Sequence, residues 1–131
     1  MSNQQTVQDI YAAFGAGDVP AILSKLADDI EWDTDAAGAS PLDQPRRGLD
    51  GVGQFFADTQ LVDFTKFAPV AFFESGNIVV ALLDVDLTVK ATGKSTTQLD
   101  EVHIWRFNDA GKVAVFRHRL DTHAQYLAFK G

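Results

Sequence analysis

The sequence predicts an α+β fold, in which a curved antiparallel sheet is wrapped by three N-terminal helices into a cone with one pocket, and a short C-terminal helix closes the chain. Three observations carry this. Apolar residues recur at helical spacing through the first part of the chain; from about Phe64 to Leu120 the pattern changes to strands separated by hairpin-turn signals; and 131 residues suit one domain, 1–131, with one core. Helices first and a sheet afterwards is the α+β order. Long hairpin strands must twist and curl to bury one face, and the open end of such a cone is the default place for a ligand.

Ser2 followed by Gln5 is a capping-box pattern, and Val7, Ile10, Tyr11 and Phe14 then follow the i, i+3, i+4, i+7 spacing of an amphipathic helix ending at Gly15-Ala16-Gly17. Asp18 caps a second helix, Pro20 suits its first turn, and Ile22, Leu23 and Leu26 supply its buried face before Asp28-Asp29. Ile30 to Asp33 reads as a strand carrying Trp32. Residues Ala36 to Gly48, with Gly38, Pro41 and Pro45, form the longest irregular stretch. Asp50 is the expected cap of a third helix with Val52, Phe55 and Phe56 inside, although Gly51 and Gly53 weaken its propensity, so packing must hold it.

Four strands follow: Phe67–Phe73, Ile78–Val89, Thr96–Phe107 and Val113–Leu120. Ser75-Gly76-Asn77, Thr92-Gly93 and Asn108-Asp109-Ala110-Gly111 separate them, and each separator is a hairpin turn signal, so the strands form an antiparallel meander. Thr122–Phe129 is a final helical turn with Asp121 as its cap.

Composition removes several function classes. Hydrophobic content of 46%, with ten Phe and two Trp, is that of an ordered globular protein. A net charge of -7 disfavours nucleic acid and anionic membrane surfaces, which are held by clustered cations. Arg46-Arg47 and Arg117/Arg119 come nearest to a cluster and read as solvated surface. Without cysteine there is no disulfide framework, thiolate nucleophile or thiolate zinc site. No signal-peptide pattern or run of about 18 apolar residues occurs, so a soluble cytoplasmic protein is expected.

Two segments resemble known proteins: the block from Val7 through Gly17-Asp18 to Leu26-Ala27-Asp28-Asp29, and the hairpin Trp105-Arg106-Phe107-Asn108-Asp109-Ala110-Gly111-Lys112-Val113. With Arg47-Gly48 and the closing Arg117-His118-Arg119-Leu120-Asp121-Thr122, they resemble the SnoaL-like polyketide cyclases and the ketosteroid isomerases, of the superfamily named for nuclear transport factor two. That superfamily holds isomerases, cyclases, epoxide hydrolases, dehydratases and binding modules on one scaffold, so the resemblance implies a fold rather than a reaction. It places the isomerase's helix-one Tyr on Ile10, its strand-one base on Thr34 and its sheet hydrogen-bonding Asp on His103. All three are replaced, which argues against standard ketosteroid isomerisation. Asp33 and Asp35 flank the base position, but strand alternation points them away from the side of Thr34.

On the strand Thr96–Phe107 one face carries Leu99, Glu101, His103, Trp105 and Phe107, and the resemblance puts this face inside. A four-residue loop at 108–111 would set Glu101 opposite His118 and His103 opposite Phe116, bringing two imidazoles and a carboxylate onto one surface. Such a cluster suits acid/base work, because histidine titrates near neutrality and a carboxylate fixes its tautomer. The alternative is that the histidines are structural. A two-residue Thr92-Gly93 turn would set Asp84 across from Glu101, whereas a one-residue bulge in that hairpin would put both Asp84 and Asp86 outside. Phe14, Trp32, Phe56, Trp105 and Phe116 either line the pocket or fill the core.

The expectation is therefore a cofactor-free, metal-free enzyme of SnoaL-like type, with His118 or His103 as base and Glu101 orienting it. Its substrate is a small hydrophobic or polyketide-like molecule undergoing cyclisation, isomerisation or hydration. The alternative is a non-catalytic ligand-binding or dimerisation module of the same fold. Val102, Ile104 and the run Ile78–Leu83 leave apolar outer-face surface that a homodimer would bury.

Overall fold

A computed structural model describes residues 2–34 and 39–131. Helix α1 (Asn3–Gly15) begins where the Ser2 hydroxyl accepts the Gln5 N–H, as the capping-box pattern predicts. Helix α2 (Val19–Leu23) is capped by Asp18 through the Ala21 N–H and stops early. Leu26, expected on its buried face, instead opens strand β1 (Leu26–Thr34). The reason is tertiary: Leu26 pairs with Val113, and a ladder of this kind outweighs the weak preference of a two-turn helix to continue.

Arg46 and Arg47 form the short strand β2 against β1, which the irregular reading of this stretch did not foresee. Arg46 is buried, donating to Asp58 Oδ2 and to the Pro41 carbonyl, each at 2.8 Å, so it is a structural tie and not solvated surface. Arg47 is exposed and reaches Asp33 Oδ1 at 2.8 Å. Helix α3 (Gly48–Asp58) starts before Asp50, with Arg47 at the cap position and no side-chain cap. Asp50 sits in the first turn, where its charge complements the helix dipole rather than capping it. Val52 and Phe56 are its buried residues, and a 3-10 turn, Thr59–Leu61, follows.

Strands β3 (Val62–Ser75), β4 (Ile78–Val89), β5 (Ser95–Phe107) and β6 (Val113–Arg119) form the expected meander, and helix α4 (Thr122–Phe129) closes it, capped by Asp121 through the Ala124 N–H. The sheet order is β2-β1-β6-β5-β4-β3, and β1 runs parallel to β6, so the sheet is mixed rather than wholly antiparallel. The parallel pair follows from connectivity, since the helices carry the chain away from β1 and the meander returns it alongside.

Two registers differ from the simplest hairpins. Between β5 and β6 five residues, 108–112, connect Phe107 to Val113, and a bulge follows at Arg106/Phe107. Each change slips the register by one residue; together they slip it by two and preserve the face. His103 therefore lies opposite His118, and Trp105 opposite Phe116, correcting the expected Glu101–His118 and His103–Phe116 pairs. Between β4 and β5 a bulge lies at Leu83/Val85, so Leu83 faces Glu101. Along β4 buried residues alternate with half-buried ones, and Asp84 and Asp86 fall in the half-buried outer set.

Helices α1 to α3 cover one face of the sheet, where Val7, Ile22, Ile30, Val52, Val79 and Trp105 are buried in one cluster. Each contributes roughly 1.5–3 kcal/mol relative to exposure. Helix α4 is fastened to the far end by Gln98, whose amide bonds both the N–H and the carbonyl of Asp121, and by the Thr92 hydroxyl on the Ala128 carbonyl. Among the described residues no helix is long and apolar enough to cross a membrane.

Candidate functional site

Between the helices and the inner sheet face lies a cavity of about 80 Å³. Its walls are mainly aromatic. Phe14 comes from α1, Trp32 from β1, Phe56 from α3, Trp105 from β5 and Phe116 from β6, so all five predicted aromatic residues reach it. They also pack on one another: Trp32 stacks on Phe116 at 4.0 Å between centroids, and Trp105 meets Trp32 edge-on at 5.8 Å. They are core and pocket wall at once. Of the polar residues, Glu101, His103, His118 and Tyr11 are joined by short contacts and line the same space, with Gln125 from α4.

Glu101 is 6% exposed, far from the solvent-facing strand residue that its type suggests. One of its oxygens, Oε2, lies 2.8 Å from His103 Nε2 and 2.9 Å from His118 Nε2. The His118 contact is a close ion-pair distance, off the line of a well-formed hydrogen bond. The chain of donors extends further. Trp105 Nε1–H donates to the Tyr11 hydroxyl at 3.1 Å, and Tyr11 Oη lies 2.7 Å from His103 Nδ1.

These contacts fix the protons by elimination. The indole can only donate, so Tyr11 accepts from it; the ionised Glu101 can only accept, so His103 Nε2 donates to it and Nδ1 is left to accept the Tyr11 O–H. Nδ1 is then an acceptor, and neutral His103 carries its hydrogen on Nε2, pointed at Glu101. Both ring nitrogens of His103 are occupied. His118 has one nitrogen beside Glu101, and its other nitrogen has no hydrogen-bond partner among the described residues.

The electrostatics agree with this assignment. Burial would raise the Glu101 carboxyl, but the His118 charge at close range and the His103 hydrogen bond outweigh it and hold the group well below the usual carboxylate range. Burial lowers His103 below the ordinary histidine value despite its bond to Glu101. Burial also works against charge on His118, yet the nearby carboxylates, Glu101 first and then Asp43, raise it. Burial pushes the Tyr11 phenol far up, opposed only in part by the Trp105 hydrogen bond, so it remains a neutral donor. The result is an ionised Glu101 beside two imidazoles of which His118 holds a proton more readily than His103.

Glu101, His103 and His118 offer donor atoms within 4.8 Å of one another, a spacing that a metal could use. A histidine ligating through Nε2 donates its Nδ1–H to an acceptor, a part the Tyr11 hydroxyl oxygen can play; with the ionised Glu101 accepting from Nε2 instead, Tyr11 donates to Nδ1.

Three contributors escape a sequence reading. Tyr11, not Ile10, places a hydroxyl beside His103; Ile10, where the resemblance put the helix-one Tyr, is buried in the core. Asp43 is fully buried in the stretch read as irregular, its Oδ2 accepting from the Ser40 hydroxyl and the Gln125 amide. Gln125 brings α4 into the cavity wall. A buried Asp among Ser, Pro and Gln residues carries no spacing signal; Tyr11 was legible as an inner-face residue but not as a donor. Asp33 sits in the Arg47 ion pair, and Asp35 lies outside the described residues.

A family model described as a SnoaL-like domain matches residues 7–116. The chain belongs to the SnoaL-like domain family. Among solved structures it is similar to an NTF2-like protein of unknown function from Burkholderia pseudomallei, with 33% identity over 100% of both chains and a TM-score of 0.86. It is also similar to an NTF2-like protein from Burkholderia thailandensis, with 28% identity over 100% of this chain and 99% of that one and a TM-score of 0.87. TerC, co-crystallised with polyporic acid, shares 27% identity over 98% of each chain, with a TM-score of 0.83. No curated protein matches the sequence.

Proposed function

We propose that this SnoaL-like protein is a cofactor-free, metal-free acid/base enzyme acting on a small, largely apolar substrate by cyclisation, isomerisation or hydration. His118 exchanges the proton, Glu101 orients it and balances the imidazolium charge, and His103, held by Tyr11, keeps Glu101 ionised. The observation that carries this reading is the single Glu101 oxygen within 2.9 Å of both Nε2 atoms, with the His103 tautomer fixed from behind. His118 is preferred over His103 because His103 has no nitrogen left to offer a substrate.

The aromatic walls supply apolar surface, and the polar cluster orients a ligand with its reacting polar group toward His118. The cavity is smaller than the roughly 150 Å³ that accommodates benzene in an engineered core, so a ring-sized ligand requires wall side chains to shift. A relative that takes polyporic acid supports reading this space as a ligand site. The mutual packing of Trp32, Trp105 and Phe116 favours the second reading, a ligand-binding or dimerisation module without turnover.

Ring-proton NMR titration of His103 and His118, in the wild type and in Glu101→Gln, separates the two. The acid/base reading expects His118 above and His103 below the ordinary value, with His118 falling in the variant. Two independent, ordinary titrations would leave the binding module. We also propose a homodimer through the outer sheet face, where Phe73, Val80, Leu82, Val102 and Ile104 share one side and Phe73 is 58% exposed; a monomer in sedimentation at micromolar concentration would count against it.

A further inference from the structure

Strand β5 changes phase in its middle. Thr96 and Gln98 are buried, Leu99 and Asp100 are exposed, and Glu101, His103, Trp105 and Phe107 are buried again. Strict alternation from Gln98 would bring residue 100 inside and turn Glu101 out. A bulge prevents this: Val85 pairs with Gln98 and Leu83 with Glu101, so Asp84 alone stands opposite the two residues Leu99 and Asp100. The inward aim of Glu101 depends on that extra residue.

The bulge is held in an uncommon conformation. Asp100 has φ of 55°, in the left-handed region that L residues seldom enter, and it is the described non-glycine residue that does so. Its N–H donates to Asp84 Oδ1 at 3.1 Å, while Asp84 Oδ2 lies 4.0 Å from Lys66 Nζ on β3. One carboxylate on the outer face thus ties three strands at the point where β5 changes phase.

We infer that Asp84 is a positioning residue for the site on the opposite face, holding the Leu99–Asp100 bulge so that Glu101 meets His118. The inference rests on the acid/base reading of Glu101 and His118. Asp84 touches none of the reacting groups; it acts through the backbone of β5.

The test is the His118 titration in three variants. The charged and titratable groups acting on His118 are Glu101 and His103 from β5, Asp43 from the segment before α3, and Arg119 from its own strand. Asp84→Asn removes the charge but keeps an oxygen for the Asp100 N–H, and is expected to titrate as the wild type. Asp84→Ala removes both, and the proton affinity of His118 is expected to fall about tenfold, or one pH unit. Adding Asp100→Gly to Asp84→Ala should restore the wild-type value, because glycine takes positive φ without a clamp.

A shift common to the Asn and Ala variants is a field effect and overturns the inference, as does an unmoved His118 in Asp84→Ala. If Asp84→Ala does not fold, the double variant carries the test, a wild-type titration supporting the inference and a lowered one overturning it. Glu101→Gln keeps the two levels apart. If it lowers His118 and Asp84→Ala does not, only the positioning role falls; if neither moves His118, the acid/base reading falls first.

Discussion

Replacing Tyr11 by Phe removes one oxygen and leaves the ring, whose contacts with Phe67, Phe72 and Trp105 at about 6 Å between centroids persist. Two hydrogen bonds vanish together. The Trp105 indole N–H, in a residue 2% exposed, loses its acceptor, and His103 Nδ1, in a residue 5% exposed, loses its donor. Each orphaned buried group costs about 1–3 kcal/mol, so the variant should lose about 2–6 kcal/mol. With an unfolding entropy of about 2.1 cal/mol/K per residue, a loss of about 3 kcal/mol in a chain of this length lowers Tm by about 10 °C. Urea unfolding at neutral pH and a thermal scan measure this, and ring-nitrogen NMR of His103 reports the proton location in the same samples. A loss below about 1 kcal/mol would refute the relay from Trp105 to Glu101.

Other expectations follow from the same network. Glu101 is held below its unfolded value, so its pairing stabilises the fold above the ordinary carboxylate range near 4.5 and is lost as pH falls through the depressed folded value; urea midpoints of Glu101→Gln should depend less on acid than those of the wild type. Seen from its other partner, the same pairing is complete below about 6.5 and lost as pH rises through the raised His118 value. His103 has the opposite sign, since its lowered value makes protonation below about 6.5 favour the unfolded chain. If His118 is the base, kcat/KM with any turned-over substrate should rise through a pKa above the ordinary histidine value, and Glu101→Gln should move that limb to lower pH. Leu83→Ala, fully buried opposite Glu101, should cost about 2–5 kcal/mol in urea unfolding; a smaller loss would mean that the inner face collapses around the gap.

The meander, the inner face of β5 and the cluster of Glu101 with two histidines are legible in the sequence because strand alternation survives an even slip of register. The five-residue 108–112 loop and the Arg106/Phe107 bulge each add one, and their sum leaves His103 and His118 on the same side. The Leu83/Val85 bulge adds only one, and an odd slip decides which face Asp84 takes; that depends on how Asp100 is held and not on periodicity. Tyr11 falls on the apolar face of a helix whichever way its hydroxyl turns, and only the arrival of His103 and Trp105 from β5 gives it a role. Asp43 is hidden for the opposite reason, since its one local partner, the Ser40 hydroxyl, marks only a turn and its other partner, Gln125, lies on α4.

The parallel seam between β1 and β6 joins strands from opposite ends of the chain, with Trp32 beside Phe116 and Thr34 beside His118. Closing a contact of such sequence separation costs loop entropy before it returns any stability, which makes this seam a late step in folding. During synthesis β1 leaves the ribosome long before its partner exists, and its edge stays open until the last strand is made. His118 and Phe116 both sit on that last strand, so the imidazole proposed to exchange the proton and one aromatic wall enter the site together, only when the whole sheet is in place.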